Sequence, residues 1–220
     1  MDNKIPIPTI KRYPSYLRRL QSYQQKGMVN VSATYIANDL QLNPIQVRKD
    51  ISLTGIEGKP KIGFAVDDLI ESLTNSLGWN NTNDAILIGV GNLGRALMGY
   101  EGFSQNGFRI VGAFDKNPDI IGTEVNGITV MPLEKLEAYV IENRINLAIM
   151  TVPAKQAQTV AELLVKCGVI GIWNFAPVHI QLPEGIVVER TDLSSHFASL
   201  SEKMRRVMVD KKPGFRKGWL

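Results

Sequence analysis

The stretch Ala85-Ile86-Leu87-Ile88-Gly89-Val90-Gly91-Asn92-Leu93-Gly94 constrains this chain more than any other. Its first part is short, apolar and β-branched, as expected for a strand buried on both faces. Three glycines follow at the spacing that closes a strand and opens a helix. The next apolar run ends at Asp115, 21 residues after Gly94. Strand, Gly-x-Gly-x-x-Gly, helix and a later carboxylate together form the dinucleotide-binding fingerprint. Gly89 permits the tight turn, Gly91 leaves room for a pyrophosphate, and Gly94 lets helix and sheet pack closely. Val90, Asn92 and Leu93 complete the loop, and the helix N-terminus offers N–H groups to phosphate. Asp115 suits the adenosine ribose hydroxyls and repels a 2′-phosphate, which favours NAD(H) over NADP(H). Lys116 beside it tempers that preference.

Further apolar runs at 109–114, 145–152, 168–175 and 186–189 alternate with helical stretches at 93–100, 132–143 and 154–167. This alternation predicts an α/β fold with a doubly wound parallel sheet. Ligands in such sheets sit beyond the carboxyl ends of the strands. Thr151-Val152-Pro153 and Asn174-Phe175-Ala176-Pro177 follow two of the runs and are candidates for the nicotinamide half. Each proline equally suits a plain strand terminator.

The first 80 residues read differently. Residues 14–26 carry Tyr16, Leu17, Leu20 and Tyr23 at helical spacing. Ser32 caps a short helix over 33–40, and Asn43 with Pro44 opens another over 44–53. A turn at Gly58-Lys59-Pro60 and a short strand over 62–66 complete the order of a winged helix-turn-helix. The net charge of +4 is unevenly spread: residues 1–62 carry +6, and residues 80–191 carry −3. A basic end joined to an acidic middle suggests a nucleic-acid-facing part. Gln46, Arg48, Lys49 and Ser52 lie on the polar side of the second capped helix, where such side chains reach base edges. Arg12, Arg18 and Arg19, with Lys59 and Lys61, are placed for phosphate or minor-groove contact.

No apolar run is long enough to span a membrane, and the N-terminus lacks a signal-peptide pattern, so a cytoplasmic location is expected. Cys167 is the sole cysteine, which excludes a disulfide framework and a cysteine-rich zinc site, and no metal is expected. Cys167 reads as a core residue, His179 as structural and His196 as a surface or interface residue. With the first 79 residues spent on a basic helical module, no segment remains for a substrate domain. Catalysis is therefore not expected. The helix over 192–209 is amphipathic with nothing obvious left to cover in its own domain. It packs either on its own sheet or on a partner subunit.

These residues together resemble the Rex family of redox-sensing transcriptional repressors. The likeness covers residues 5–208 and rests on Ile5-Pro6, the stretch from Lys11 to Arg18, Val31-Ser32, Gln46–Asp50, Gly55, Gly89–Gly94, Tyr100, Phe114-Asp115, Leu147–Pro153 and Asn174–Pro177. The resemblance implies a homodimer on double-stranded, roughly palindromic operator DNA that senses NADH against NAD+, with the last helix exchanged between subunits. It adds Tyr16 and Ser32 to the DNA-facing residues. It implies a polar switch of Arg18, Tyr100 and Asp192. One stretch departs from the family: Pro60, between Lys59 and Lys61, stands where an arginine is usual. The expected division is a winged-helix domain over 1–79, a Rossmann NAD(H)-binding domain over 80–191, a swapped helix over 192–209 and a basic tail over 210–220. A small NAD-dependent oxidoreductase and a DNA-binding protein with purely structural NAD(H) are the alternatives.

Overall fold

A computed structural model of the chain describes residues 5–80 and 83–210. Residues 211–220 of the expected tail lie outside these. The chain divides into two compact units that meet between residues 82 and 83.

In the first unit, α1 (Ile7–Ile10) leads into α2 (Tyr13–Gln25). Tyr13, Tyr16, Leu17, Leu20 and Tyr23 recur every three or four residues on α2 and are buried together. A two-residue strand β1 (Asn30–Val31) precedes α3 (Ala33–Asp39), which Ser32 caps by accepting the Tyr35 N–H at 3.1 Å. Asn43 caps α4 (Pro44–Ser52) by accepting the Ile45 N–H at 2.8 Å. These caps satisfy backbone donors that a helix start leaves unpaired, which is why the two helices begin where they do. Strand β2 (Phe64–Ala65) then leads into α5 (Val66–Leu77).

The turn expected at Gly58-Lys59-Pro60 closes tightly. Lys59 and Gly63 exchange backbone hydrogen bonds of 2.7 and 2.9 Å, and Lys61 at the tip has φ of 64°. The strand leaving this turn pairs antiparallel with β1, Asn30 opposite Ala65, instead of with the strand entering it.

The second unit is a seven-stranded sheet. Its strands are β3 (Asn83–Ile88), β4 (Phe108–Asp115), β5 (Glu124–Val125), β6 (Ile128–Pro132), β7 (Leu147–Met150), β8 (Gly171–Asn174) and β9 (Val187–Arg190). They lie in the order β5-β6-β4-β3-β7-β8-β9, all parallel except β5. Helices α6 (Asn92–Met98), α7 (Leu136–Glu142) and α8 (Ala154–Lys166) connect them. Ile86 and Ile88 enter the core on one face of the sheet with Phe114 and Met150, and Leu87 enters the other with Ala113 and Ile149. Alternating side chains of fully apolar strands thus feed two cores. Cys167 belongs to the first of these, and burial raises its thiol above the ordinary value.

Helix α9 (Leu193–Asp210) follows β9. Leu193, Phe197, Leu200, Met204, Val207 and Met208 stand exposed along it, Phe197 at 70%. Among the described residues no helix is long and apolar enough to cross a membrane, and no group of acidic, histidine or cysteine side chains is placed to hold a metal.

Candidate functional site

Register builds the cleft. Ile88 pairs with Phe114 and Met150, and Met150 pairs with Asn174. The next residues, Gly89, Asp115, Thr151 and Phe175, therefore emerge at one edge of the sheet. Strand β3 is the first strand of this sheet, and its neighbours β4 and β7 diverge from it. The crevice at that divergence is where open α/β sheets hold ligands. A cavity of about 470 Å³ lies there, lined by Gly89, Gly91, Asp115, Lys116, Leu133, Thr151, Val152, Pro153, Gln156 and Val160.

The loop geometry depends on missing side chains. Gly89 has φ of 96°, and a Cβ there would meet the Thr151 carbonyl. A Cβ on Gly94 would run into the Gly89 carbonyl oxygen. Gly91 has open space around it, as a site for an approaching phosphate requires. Asp115 braces the loop: Oδ2 accepts the Val90 N–H at 2.6 Å, and Oδ1 accepts the Asn117 N–H at 2.8 Å. Carboxylate oxygens have capacity beyond these two bonds for a ribose diol. The Thr151 hydroxyl donates to the Gly89 carbonyl at 2.6 Å, tying the end of β7 to the same loop. Asn92 and Leu93, at the start of α6, are exposed.

Asn174 is 1% exposed and spends its side chain on its own loop, accepting the Ala176 N–H and donating to the Val178 carbonyl. It shapes the Asn174–Pro177 turn from beneath. Phe175 packs on Trp173 with ring centres 4.9 Å apart, and Pro177 is exposed. Gln156 and Leu133 line the cavity without having been singled out by sequence. Their signal, a place one turn into α8 and one residue after β6, emerges only once the register is known.

In the first unit, Gln46, Arg48, Lys49 and Ser52 are exposed on α4, while Val47, Asp50 and Ile51 face inward. Lys59, Lys61, Arg18 and Ser32 are exposed as well. Arg19 pairs with Asp39 at 3.0 Å. Tyr16 is fully buried and its hydroxyl donates to Asp50, so its surface is spent inside the unit. Arg12 is paired with Asp50 at 2.6 Å and keeps a quarter of its side chain exposed.

Of the three residues implied for the switch, Tyr100 is exposed and meets Phe103 edge-on at 5.0 Å. Asp192 caps α9 by accepting the Ser194 N–H and pairs with Arg190 at 2.6 Å. That pair and the cap hold the Asp192 carboxyl below the ordinary carboxylate range. Arg18 belongs to the other unit.

Known proteins share this arrangement. Residues 80–178 match the family described as "CoA binding domain", and residues 4–52 match "Putative DNA-binding protein N-terminus". A redox-sensing transcriptional repressor Rex from Treponema denticola is 43% identical over 91% of this chain and 96% of its own length. Its counterpart from Carboxydothermus hydrogenoformans is 41% identical over 92% and 98%. The crystal structure of RSP with β-NAD+ and operator DNA superposes with a TM-score of 0.87 at 30% identity, covering 97% of this chain and 99% of that one. RSP with β-NADH gives 0.82 at 30% identity, over 93% and 96%. Identity of this degree over nearly the full length of both chains places the protein in the Rex family of redox-sensing transcriptional repressors.

Proposed function

We propose that the chain represses transcription as a homodimer on double-stranded operator DNA and is released when NADH binds, so that it reads the NADH/NAD+ ratio. The observation that carries this reading is its likeness, over nearly all of both chains, to a protein solved with NAD+ and operator DNA. The cleft at Gly89–Gly94 fits a dinucleotide, since Gly91 is open to a phosphate and the Asp115 carboxylate borders the same cavity. When bound there, the nicotinamide nucleotide serves as a sensed ligand whose oxidation state is the signal.

Asn92 and Leu93 present backbone N–H groups to phosphate, Val90 joins the loop to Asp115 through its own N–H, and Asp115 orients the ribose with Lys116 beside it. Thr151, Val152, Pro153 and the Asn174–Pro177 turn border the nicotinamide half. Gln46, Arg48, Lys49 and Ser52 of α4 read base edges, with Ser32, Arg18, Lys59 and Lys61 on the backbone. Arg18, Tyr100 and Asp192 couple the two activities, and α9 is exchanged with the partner subunit. Leu193, Phe197 and Leu200 supply the apolar face for that exchange. The functional division follows the residue spans 1–79, 80–191 and 192–209, and the protein works in the cytoplasm.

Ligand control has a thermodynamic condition: the operator-free conformation must hold NADH more tightly than the operator-bound one. Operator binding titrated against the NADH/NAD+ ratio at fixed salt tests the reading. Affinity is expected to fall as NADH rises, and an operator affinity indifferent to the ratio would overturn it.

A further inference from the structure

The charged residue with the most side-chain partners in the first unit is a buried one. Asp50 follows Lys49 on α4, yet it is 3% exposed. Arg12 grips it from both sides of the carboxylate, Nε donating to Oδ2 and Nη2 to Oδ1, each at 2.6 Å. The Tyr16 hydroxyl donates to Oδ2 at 2.7 Å and the Thr9 hydroxyl to Oδ1 at 3.0 Å. Tyr13 donates to the backbone carbonyl of the same residue at 2.8 Å. Every donor comes from α1, α2 or the link between them, and every acceptor is on one residue of α4.

This arrangement is a poor way to gain stability. A buried ion pair recovers little of what desolvation costs, and an apolar pair of similar volume often does better. Its strength is direction. Val47 and Ile51 hold α4 by packing, which tolerates small rotations of a helix about its axis. A planar guanidinium against a planar carboxylate does not, because both bonds weaken together once the planes tilt. Burial also keeps the tyrosines as donors, raising the Tyr13 phenol to about 12.

We propose that Asp50 is the positioning residue of the DNA reader: held by Arg12 and Tyr16, it fixes the rotation at which α4 presents Gln46, Arg48 and Lys49 to base edges. It thereby governs discrimination among sequences, while attraction to DNA as a polyanion is left to exposed cations. This inference rests on the reading of α4 as the recognition helix. A rival role exists for Arg12, which borders a groove of about 490 Å³ with Asn43, Gln46 and Lys49 and in that place would meet a phosphate.

The test uses the full chain, a duplex selected by the wild-type protein from random sequence, and a scrambled duplex of the same length. Asp50→Asn is expected to weaken binding to the selected duplex about tenfold or more, the scale of one good base contact. Its affinity for the scrambled duplex should stay within about twofold, since phosphate contacts supply that binding. Arg12→Gln should lower the same specificity ratio and leave the slope of log affinity against log salt unchanged. Lys59→Ala, at a residue placed on the DNA backbone, serves as the contrast, because each lost phosphate contact flattens the slope by about one. Should Asp50→Asn fail to fold, Tyr16→Phe keeps the ring in the core, removes one donor, and is expected to lower the ratio in the same direction.

Equal losses on both duplexes would overturn the proposal, since they would mean only that less protein is folded. A flatter salt slope in Arg12→Gln would overturn it too, by making Arg12 a phosphate contact. If the wild-type protein selects no sequence at all, the reading of α4 itself fails, and that outcome is distinct from both.

Discussion

The two units fix their critical elements by opposite means. In the first, the helix proposed to read DNA is held by a buried carboxylate with three side-chain partners and by a fourth side chain on the same residue's carbonyl. In the second, the loop proposed to admit a phosphate is braced by Asp115 and Thr151 but owes its path to what its residues lack, with Gly89 and Gly94 letting strand and helix approach to backbone contact. The sheet beneath is apolar on both faces, and polar groups gather at its edge. Where orientation matters, directional bonds between side chains do the holding. Where access matters, the side chains are removed.

If this contrast is right, the units break separately. The largest effect is expected from Gly94→Val, which drives a branched side chain into the Gly89 carbonyl. NADH binding should be abolished, and the second unit should lose about 1–3 kcal/mol through overpacking, while binding to scrambled DNA persists. Calorimetry with a DNA titration checks both halves. Asp115→Ala removes the acceptor for the Val90 and Asn117 N–H groups together with the ribose partner. NADH should bind roughly 10–100-fold more weakly, as expected for charge-assisted hydrogen bonds, and its affinity is read directly by titration.

Arg48→Ala is the reciprocal case. Operator affinity should fall about 5- to 100-fold, and NADH affinity in the same sample should not move. Acid gives a subtler separation. Burial tends to raise the Asp50 carboxyl, but the bonds from Arg12, Tyr16 and Thr9 outweigh it and hold it below the ordinary carboxylate range. A depressed carboxyl contributes stability that is complete above its unfolded value, about pH 4, and is lost as pH falls through the lower folded value. Below about pH 4, amides of α2 and α4 should therefore lose hydrogen-exchange protection before those of β3 and β7. The smallest effect belongs to Arg109→Ala. Its two bonds to Asp84 lie in solvent, and no measurable shift in melting temperature is expected.

Much of this architecture was legible in the residues because it is local. Ser32, Asn43 and Pro44 mark helix starts by satisfying or omitting backbone donors, and the buried strands announce themselves by continuous apolar runs. What escaped depends on distance or on context. The pairing of Asn30 with Ala65 joins segments that share no local pattern. Burial of Asp50 was hidden because a carboxylate beside Arg48 and Lys49 looks solvated, although its place three residues after Val47 puts it on the buried face. The β5–β6 hairpin was missed despite a usable signal. Asn126 and Gly127, with φ of 51° and 78°, sit between Val125 and Ile128 as a two-residue turn of the kind hairpins favour. At the cleft, the glycines and Asp115 stood out by spacing, whereas Gln156 and Leu133 enter only through register.

The exposed apolar face of α9 carries a consequence for how the protein behaves in dilute solution. With Phe197 70% exposed and five further large apolar residues along the same helix, a lone protomer leaves uncovered what an exchanged pair would bury. Under the proposed exchange, assembly and stability obey one mass-action law, so the melting temperature should climb as protein concentration is raised. A cell holding few copies would then have fewer dimers as well as fewer molecules. Repressor abundance would enter the response with a power greater than one.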